Sequence, residues 1–331
     1  MLHLDDATIS DLLSPADAAR MVRLAFTEWG HGRAATTQRA RAVAPDGMAS
    51  AMAAVVPPFC GGKVYATWDG RFTFLNVLFH VDGTLLATLD GDTLTRLRTP
   101  AVSTLAIAHL ASPGAHVAAV IGAGRQGWGH VEMLAAQLPG LTELRICGRP
   151  GTSNAALLAQ RARRAGIPAR AHDDPAAAVD GAHVLVTVTS STAPLFPASA
   201  VADDALICSV GATKPDRAEL GADLVERCAA VVCDDLEGSK AECGDLIQAA
   251  AAGRFDWSRA VELHALAAGT ARAPRAGPAP VLFETQGVAI QDVALAGLAW
   301  QRAVEQRGEH APPADRNPHV PTLTTRPGAL P

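Results

Sequence analysis

The sequence predicts an α/β protein in which an antiparallel β-meander is followed by a doubly wound parallel sheet. Three observations carry this. Short β-like runs alternate with turn signals between residues 39 and 89; from residue 117 onward strands alternate with helical segments; and residues 117–121 run straight into a glycine-rich loop and a helix. With 331 residues, 49% of them apolar and 18% charged, the chain is long and apolar enough to bury about two domains.

The elements follow in order. Residues 12–29 carry apolar side chains at helical spacing behind Ser14-Pro15, a cap and first-turn pair. The meander strands are residues 51–56, 63–67, 72–79 and 85–89, with turn signals at Gly61-Gly62, Asp69-Gly70 and Asp82-Gly83. Residues 99–110 read as a helix leading out of the meander, and Ser112-Pro113-Gly114 ends it. The parallel-sheet strands are then 117–121, 144–147, 184–188, 205–210 and 230–233. A Pro/Gly/Ala linker at 271–280 precedes a helix over 287–306. Residues 311–331, with six Pro and little that can pack, read as a disordered tail.

The loop Gly122-Ala123-Gly124-Arg125-Gln126-Gly127 sits between strand and helix, as a pyrophosphate site requires. Gly122 makes the tight turn, Gly124 lets the backbone approach phosphate, and the helix start offers unpaired N–H groups. The next strand ends in Gly148-Arg149-Pro150-Gly151-Thr152-Ser153, with no carboxylate for the ribose hydroxyls. Arg149 beside hydroxyl side chains suits a 2′-phosphate, so NADP(H) is favoured and NAD(H) is possible; a merely solvated Arg149 is the plain alternative.

Leu89-Asp90-Gly91 with Leu94-Thr95-Arg96-Leu97-Arg98-Thr99, then the glycine loop one helix later, resembles the ornithine cyclodeaminase/mu-crystallin family. Further matches are Arg39, Met52 and Lys63, the run 186–190, the run 210–216 with Glu219-Leu220, and Phe283-Glu284-Thr285-Gln286-Gly287. The resemblance extends to about residue 306. It implies a Rossmann-type doubly wound parallel sheet inserted in a mixed α+β substrate and dimerisation domain. Residues 1–112 plus 287–310 would form the latter, residues 113–286 the NAD(P)-binding domain. It also implies a homodimer and a small α-imino or α-amino acid as substrate.

Carried over residue by residue, the resemblance places Arg39, Lys63, Arg98 and Gln286 around the substrate, with both Arg on its carboxylate. Two guanidinium forks suit a planar carboxylate and would fix its Cα over a nicotinamide. Thr73 falls at another position of the family's substrate pocket; a strand Thr without a role fits equally. On the cofactor side the resemblance implicates Thr99, Gln126, Gly127, Thr189, Val210, Thr213 and Thr285, beside Gly122, Gly124 and Arg149. Only three of the 28 basic residues are Lys: Lys63, Lys214 and Lys240. Since Lys can release a proton where Arg cannot, Lys63 is the expected catalytic residue near the reacting nitrogen, either as a proton donor with its pKa lowered by Arg39 and Arg98 or as another contact to the substrate carboxylate. Lys214 is a weaker candidate, better read as a contact to cofactor phosphate or solvent.

Two departures favour the mu-crystallin, ketimine-reducing branch. Cyclodeaminases of the family carry an Asp where this chain has Thr213, and an acid where it has Ser50; a hydroxyl cannot act as a carboxylate base. The expected function is NAD(P)H-dependent reduction of the C=N bond of a small cyclic or linear α-imino acid. The alternatives are an amino-acid dehydrogenase, a cyclodeaminase, or a non-catalytic NADPH-binding protein.

A formal charge of -5 gives no electrostatic reason to bind nucleic acid or an anionic membrane. No apolar run approaches the ~20 residues that span a bilayer, the first residues are acidic where a signal peptide is basic, and the six scattered Cys lack zinc spacing. The expectation is a cytoplasmic protein with reduced thiols and no metal.

Overall fold

The structure, a computed structural model, describes residues 1–273 and 278–308. Its first part is β1 (Leu2–Leu4), α1 (Asp6–Leu12), α2 (Pro15–Gly30), β2 (Ala35–Thr36), β3 (Ala40–Ala44), β4 (Gly47–Val56), β5 (Phe59–Trp68), β6 (Arg71–His80), β7 (Leu85–Asp90) and α3 (Asp92–Leu110). The strands form one sheet in the order β1-β7-β6-β5-β4-β2, with β3 also on β4; all its pairings are antiparallel except β1 on β7. The predicted meander is its centre.

Register decides which side chains can meet. Asp69 and Gly70 both have positive φ (49° and 73°), the two-residue hairpin geometry that this dipeptide favours, and they close β5 onto β6. Lys63 therefore pairs with Met52 on one side and Asn76 on the other. Gly61-Gly62 is not a turn, contrary to the sequence reading: it lies inside β5, and Pro57-Pro58 makes the turn. Bare glycines are needed there because a Cβ would stand 2.1 Å from the Val77 carbonyl oxygen at Gly61 and 2.5 Å from that of Met52 at Gly62.

Two helices also differ from expectation. The first is α2, which Ser14 starts through a reciprocal capping box with Asp17 where the Ser14-Pro15 pair suggests, but a separate short helix, α1, precedes it and takes Leu12. The second, α3, begins at Asp92 and carries Pro100 inside it rather than at its start.

The second part is β8 (Val117–Ile121), α4 (Arg125–Gln137), β9 (Glu143–Cys147), α5 (Asn154–Arg164), β10 (Ala169–His172), α6 (Pro175–Val179), β11 (Val184–Thr187), β12 (Leu206–Ser209), α7 (Ala222–Arg227), β13 (Ala230–Cys233), α8 (Leu236–Glu242), α9 (Gly244–Ala251), β14 (Ala260–Glu262), α10 (Leu263–Ala267) and β15 (Val281–Glu284). These strands form a wholly parallel sheet, ordered β10-β9-β8-β11-β12-β15-β13-β14. The order reverses between β8 and β11, and the crevice outside such a switch point is where open α/β sheets bind ligands. The short strands β10, β14 and β15 escaped the sequence reading, and β15 slots between β12 and β13.

From β15 the chain enters α11 (Ala289–Gln306), which returns to the first sheet and packs against α2, α3 and β4 to β6. Every residue of α11 from Ala289 to Trp300 is buried, Gln291 and Asp292 included. Gly297 lets this helix sit on Phe59, whose ring a Cβ would meet at 2.4 Å. The predicted tail and part of the 271–280 linker lie outside the described residues. No described helix is long and apolar enough to cross a membrane.

Candidate active site

The glycine loop is built as its spacing suggests. Gly122 has φ +128° and a Cβ there would lie 2.4 Å from the Val188 carbonyl oxygen; a Cβ at Gly127 would lie 1.9 Å from the Gly122 carbonyl oxygen. At Gly124 nothing stands within 4 Å, and no side chain caps α4, so its first turn presents free N–H groups and positive dipole to open space. These features fit a dinucleotide pyrophosphate. Gln126 turns its side chain away from the loop, donating to the Thr95 carbonyl oxygen at 3.2 Å. Burial pushes His130 down to about 4, so the ring is neutral; Nδ1 lies 2.9 Å from the Gln126 carbonyl oxygen, and Nε2 lies 3.0 Å from the Ser103 hydroxyl. That carbonyl can only accept, so Nδ1 carries the proton. Arg149, Thr152 and Ser153 are all exposed at the end of β9.

Loops at the ends of β11, β12 and β15 form the other wall. Glu219 ties two of them together, accepting from the backbone N–H of Thr189 (2.5 Å) and Gly211 (2.7 Å) and from the Thr187 hydroxyl (2.9 Å). Asp245 backs it, accepting from Glu219 N–H at 2.7 Å and the Ser209 hydroxyl at 2.9 Å. Burial pushes Glu219 up to about 7, Asp245 up to about 6 and the neighbouring Glu284 well above its ordinary value, with mutual repulsion adding to each Glu. Asp234 shapes the third loop: its Oδ2 accepts from the Thr285 hydroxyl (2.6 Å) and from the N–H of Gln286 (3.0 Å) and Gly287 (2.7 Å). The Thr285 hydroxyl is thus engaged in making the turn. Val210 is buried and Thr213 half-buried after β12, and Lys214 makes no ion pair among the described residues. Thr99 is buried on α3.

Between this wall and the first sheet lie the basic residues. Lys63 is 1% exposed on the inner face of β5. Its Nζ donates to Asp292 Oδ1 at 3.1 Å and to the Thr95 hydroxyl at 2.5 Å, and stands 4.3 Å from the centre of the Phe74 ring. Arg98 donates to Gln291 Oε1 at 3.1 Å, has Nε 3.9 Å from Asp292 Oδ1, and lies over Gly287, where a Cβ would meet its Nη1 at 2.4 Å. Arg39 reaches the same turn, donating to the carbonyl oxygens of Gln286 (2.7 Å) and Gly287 (2.9 Å). Lys63, Arg98, Arg39 and Gln286 are thus brought together.

Three expectations need correction. Arg39 is not an open fork, because it also pairs with buried Glu242, which binds Arg41 as well; only its Nε–H is left buried without a partner. Lys63 is lowered to about 8, but chiefly by burial, with Arg98 and Arg39 as lesser causes and Asp292 opposing them. Thr73 pairs with Ala66 on the outer face of the sheet and is exposed, one residue out of phase with Phe74, so period-2 alternation turns it away from Lys63.

The site also contains buried polar atoms without a protein partner: Ser50 Oγ, both amide atoms of Asn76, Asp292 Oδ2, Gln286 Oε1 and Arg98 Nε. Native interiors leave few such atoms, and their gathering here marks a place for a polar ligand.

Over residues 2–307 the sequence matches the model of one protein family. The chain belongs to the ornithine cyclodeaminase/mu-crystallin family. Among relatives, it is 36% identical to Delta(1)-pyrroline-2-carboxylate reductase 2 of Burkholderia ambifaria over 68% of each chain. Among solved structures, it is similar to a probable ornithine cyclodeaminase from Bordetella pertussis (38% identity, TM-score 0.88, 94% of this chain and 100% of that one). It is also similar to an archaeal alanine dehydrogenase dimer with bound NAD (25% identity, TM-score 0.88, 93% and 97%). The family's nicotinamide fold accounts for the glycine loop and the switch-point crevice.

For this family member, sequence reasoning passed over Asn76, Asp234, Glu242 and Asp292. Asp292 had a visible signal, an acid in the mostly apolar run 288–300. Thr95 and Glu219 lay inside matched motifs without a role being assigned to them.

Proposed function

We propose that the protein reduces the C=N bond of a small cyclic or linear α-imino acid, with NADP(H) favoured over NAD(H). The observation that carries this is the Lys63 ammonium, buried against Asp292 and the Arg98 guanidinium beside loops suited to a nicotinamide. The cofactor supplies the hydride. Arg98, with the free Nε–H of Arg39, would hold the substrate carboxylate, and Lys63 would protonate the imine nitrogen, making its carbon the better hydride acceptor. The inner sheet face and α11 bury the Lys63 ammonium.

The reductase name of the Burkholderia relative supports the direction of reaction, and Thr213 and Ser50, which offer no carboxylate, argue against cyclodeamination. One observation favours a second reading: with Lys63 lowered to about 8, its neutral form at higher pH can accept a proton, as amino-acid oxidation requires. We read residues 1–112 with the returning α11 as the substrate-binding and dimerisation unit and 113–286 as the cofactor unit, each centred on its own sheet. A homodimer is supported by the apolar outer face of the meander, and a cytoplasmic setting by six free thiols.

Purified protein given NADPH and a panel of cyclic and linear α-imino acids should consume the cofactor with at least one of them. Faster oxidation of α-amino acids by NADP+ at every pH would establish the second reading, and no turnover in either direction would defeat both.

A further inference from the structure

We propose that Asp292 is the positioning residue that keeps the Lys63 ammonium charged and fixed in the site, so that the working acid is the Lys63–Asp292 pair and not Lys63 alone. Lys63 is among the largest fully buried side chains of the protein. A buried ammonium without a counter-charge sheds its proton rather than bear the loss of hydration. Every other charge facing it has the same sign: Arg98 from α3 and Arg39 from the segment before β3. From α3 it also meets Thr95, from β6 Phe74 and Asn76, and from β4 Met52; none of these is an anion. Glu242 is spent on Arg39 and Arg41. Asp292 is therefore the one carboxylate in contact with Lys63 among the described residues.

The carboxylate is itself constrained. It lies in the first turn of α11, 1% exposed, where the dipole favours an anion. Oδ1 is shared between Lys63 Nζ at 3.1 Å and Arg98 Nε at 3.9 Å, while Oδ2 is buried without a partner. One acid thus spaces the proton donor from the guanidinium assigned to the substrate carboxylate. In the reduction proposed above, on which this part rests, one Nζ–H bond breaks, an N–H bond forms at the imine nitrogen, and neutral Lys63 regains a proton from water.

The scarcity of lysine makes the test direct. Protein carrying lysine labelled with 13C at Cε shows three lysine signals, and the one missing in Lys63→Arg is Lys63. Its titration should centre near pH 8 in the parent and fall by about one unit or more in Asp292→Asn, the size expected when a close counter-charge is removed. With the best imino acid from the panel, Asp292→Asn should lower kcat by about tenfold or more, a loss of about 1.4 kcal/mol, with a smaller change in KM and none in NADPH affinity. An unchanged midpoint in the variant overturns the proposal. If Asp292→Asn does not fold, a parent midpoint below pH 7 overturns it just as well, because Lys63 would then be neutral despite Asp292. If no imino acid is reduced while the midpoint still responds to Asp292→Asn, the functional reading fails and the positioning role stands.

Discussion

Arg149 stands in solvent at the end of β9, and no acid among the described residues pairs with its guanidinium. Its neighbour Gly148 keeps the turn tight: a Cβ there would meet those of Ala123 and Ala155 at 3.3 Å. Thr152 is tied into the turn by donating to the Arg149 carbonyl oxygen at 2.8 Å, which leaves the Ser153 hydroxyl and the Arg149 fork facing outward. Arg149→Ala should weaken NADPH binding by roughly 10- to 100-fold, the value of a charge-assisted hydrogen bond, and leave NADH binding unchanged. Titrating intrinsic fluorescence with each cofactor decides it, and equal losses for both would show that Arg149 does not read the 2′-phosphate.

At the scale of elements, α2 and α11 are joined by a two-pronged pair: Arg302 Nη1 and Nη2 each donate to one oxygen of Asp17 at 2.7 Å, and Nη1 also reaches the Leu12 carbonyl oxygen. Burial alone would raise Asp17, but Arg302 and the Ser14 cap outweigh it and hold the carboxyl well below the usual carboxylate range. A depressed folded-state pKa gives stability that is present above the unfolded value of about 3.9 and is lost as pH falls through the folded one. Asp17→Asn should therefore cost about 1–3 kcal/mol at neutral pH, and the gap to the parent should close progressively below about pH 4. Urea unfolding at several pH values measures this; a gap constant from neutral to strongly acid pH would mean that the loss does not arise from the ionised pair. Elements like α4 and its loop were legible in the sequence because the strand, glycine loop and helix follow one another directly and Gly127 answers to crowding by Gly122 within the same loop. Lys63–Asp292 and Asp234 with the 285–287 turn were not, because those contacts form only when α11 returns across 229 positions and β15 slots beside β13. Thr73 shows the intermediate case. Alternation was visible, but placing it against Lys63 needed the register, and reading Gly61-Gly62 as a turn hid that.

For the molecule as a whole, the meander presents an outer face on which Ala51, Val64 and Leu75 form one cross-strand row, with Val64 53% and Leu75 42% exposed. The homodimer proposed above would use this open apolar face. The expected outcome is a parent that sediments as a dimer and a double variant Val64→Lys, Leu75→Lys that sediments as a monomer; equal sedimentation of the two would place any dimer contact elsewhere. The two sheets are also braced to each other away from α11, since Gln38 donates to Asp235 at 2.7 Å and Glu242 holds Arg39 and Arg41. The insertion of β15 between β12 and β13 has a consequence for synthesis. The parallel sheet cannot close until the ribosome has released residues 281–284, and the first sheet waits longer still for the helix that covers its inner face. The meander, made first, keeps its inner face uncovered until residues 289–306 emerge, so the packing that buries Lys63 is completed late in synthesis.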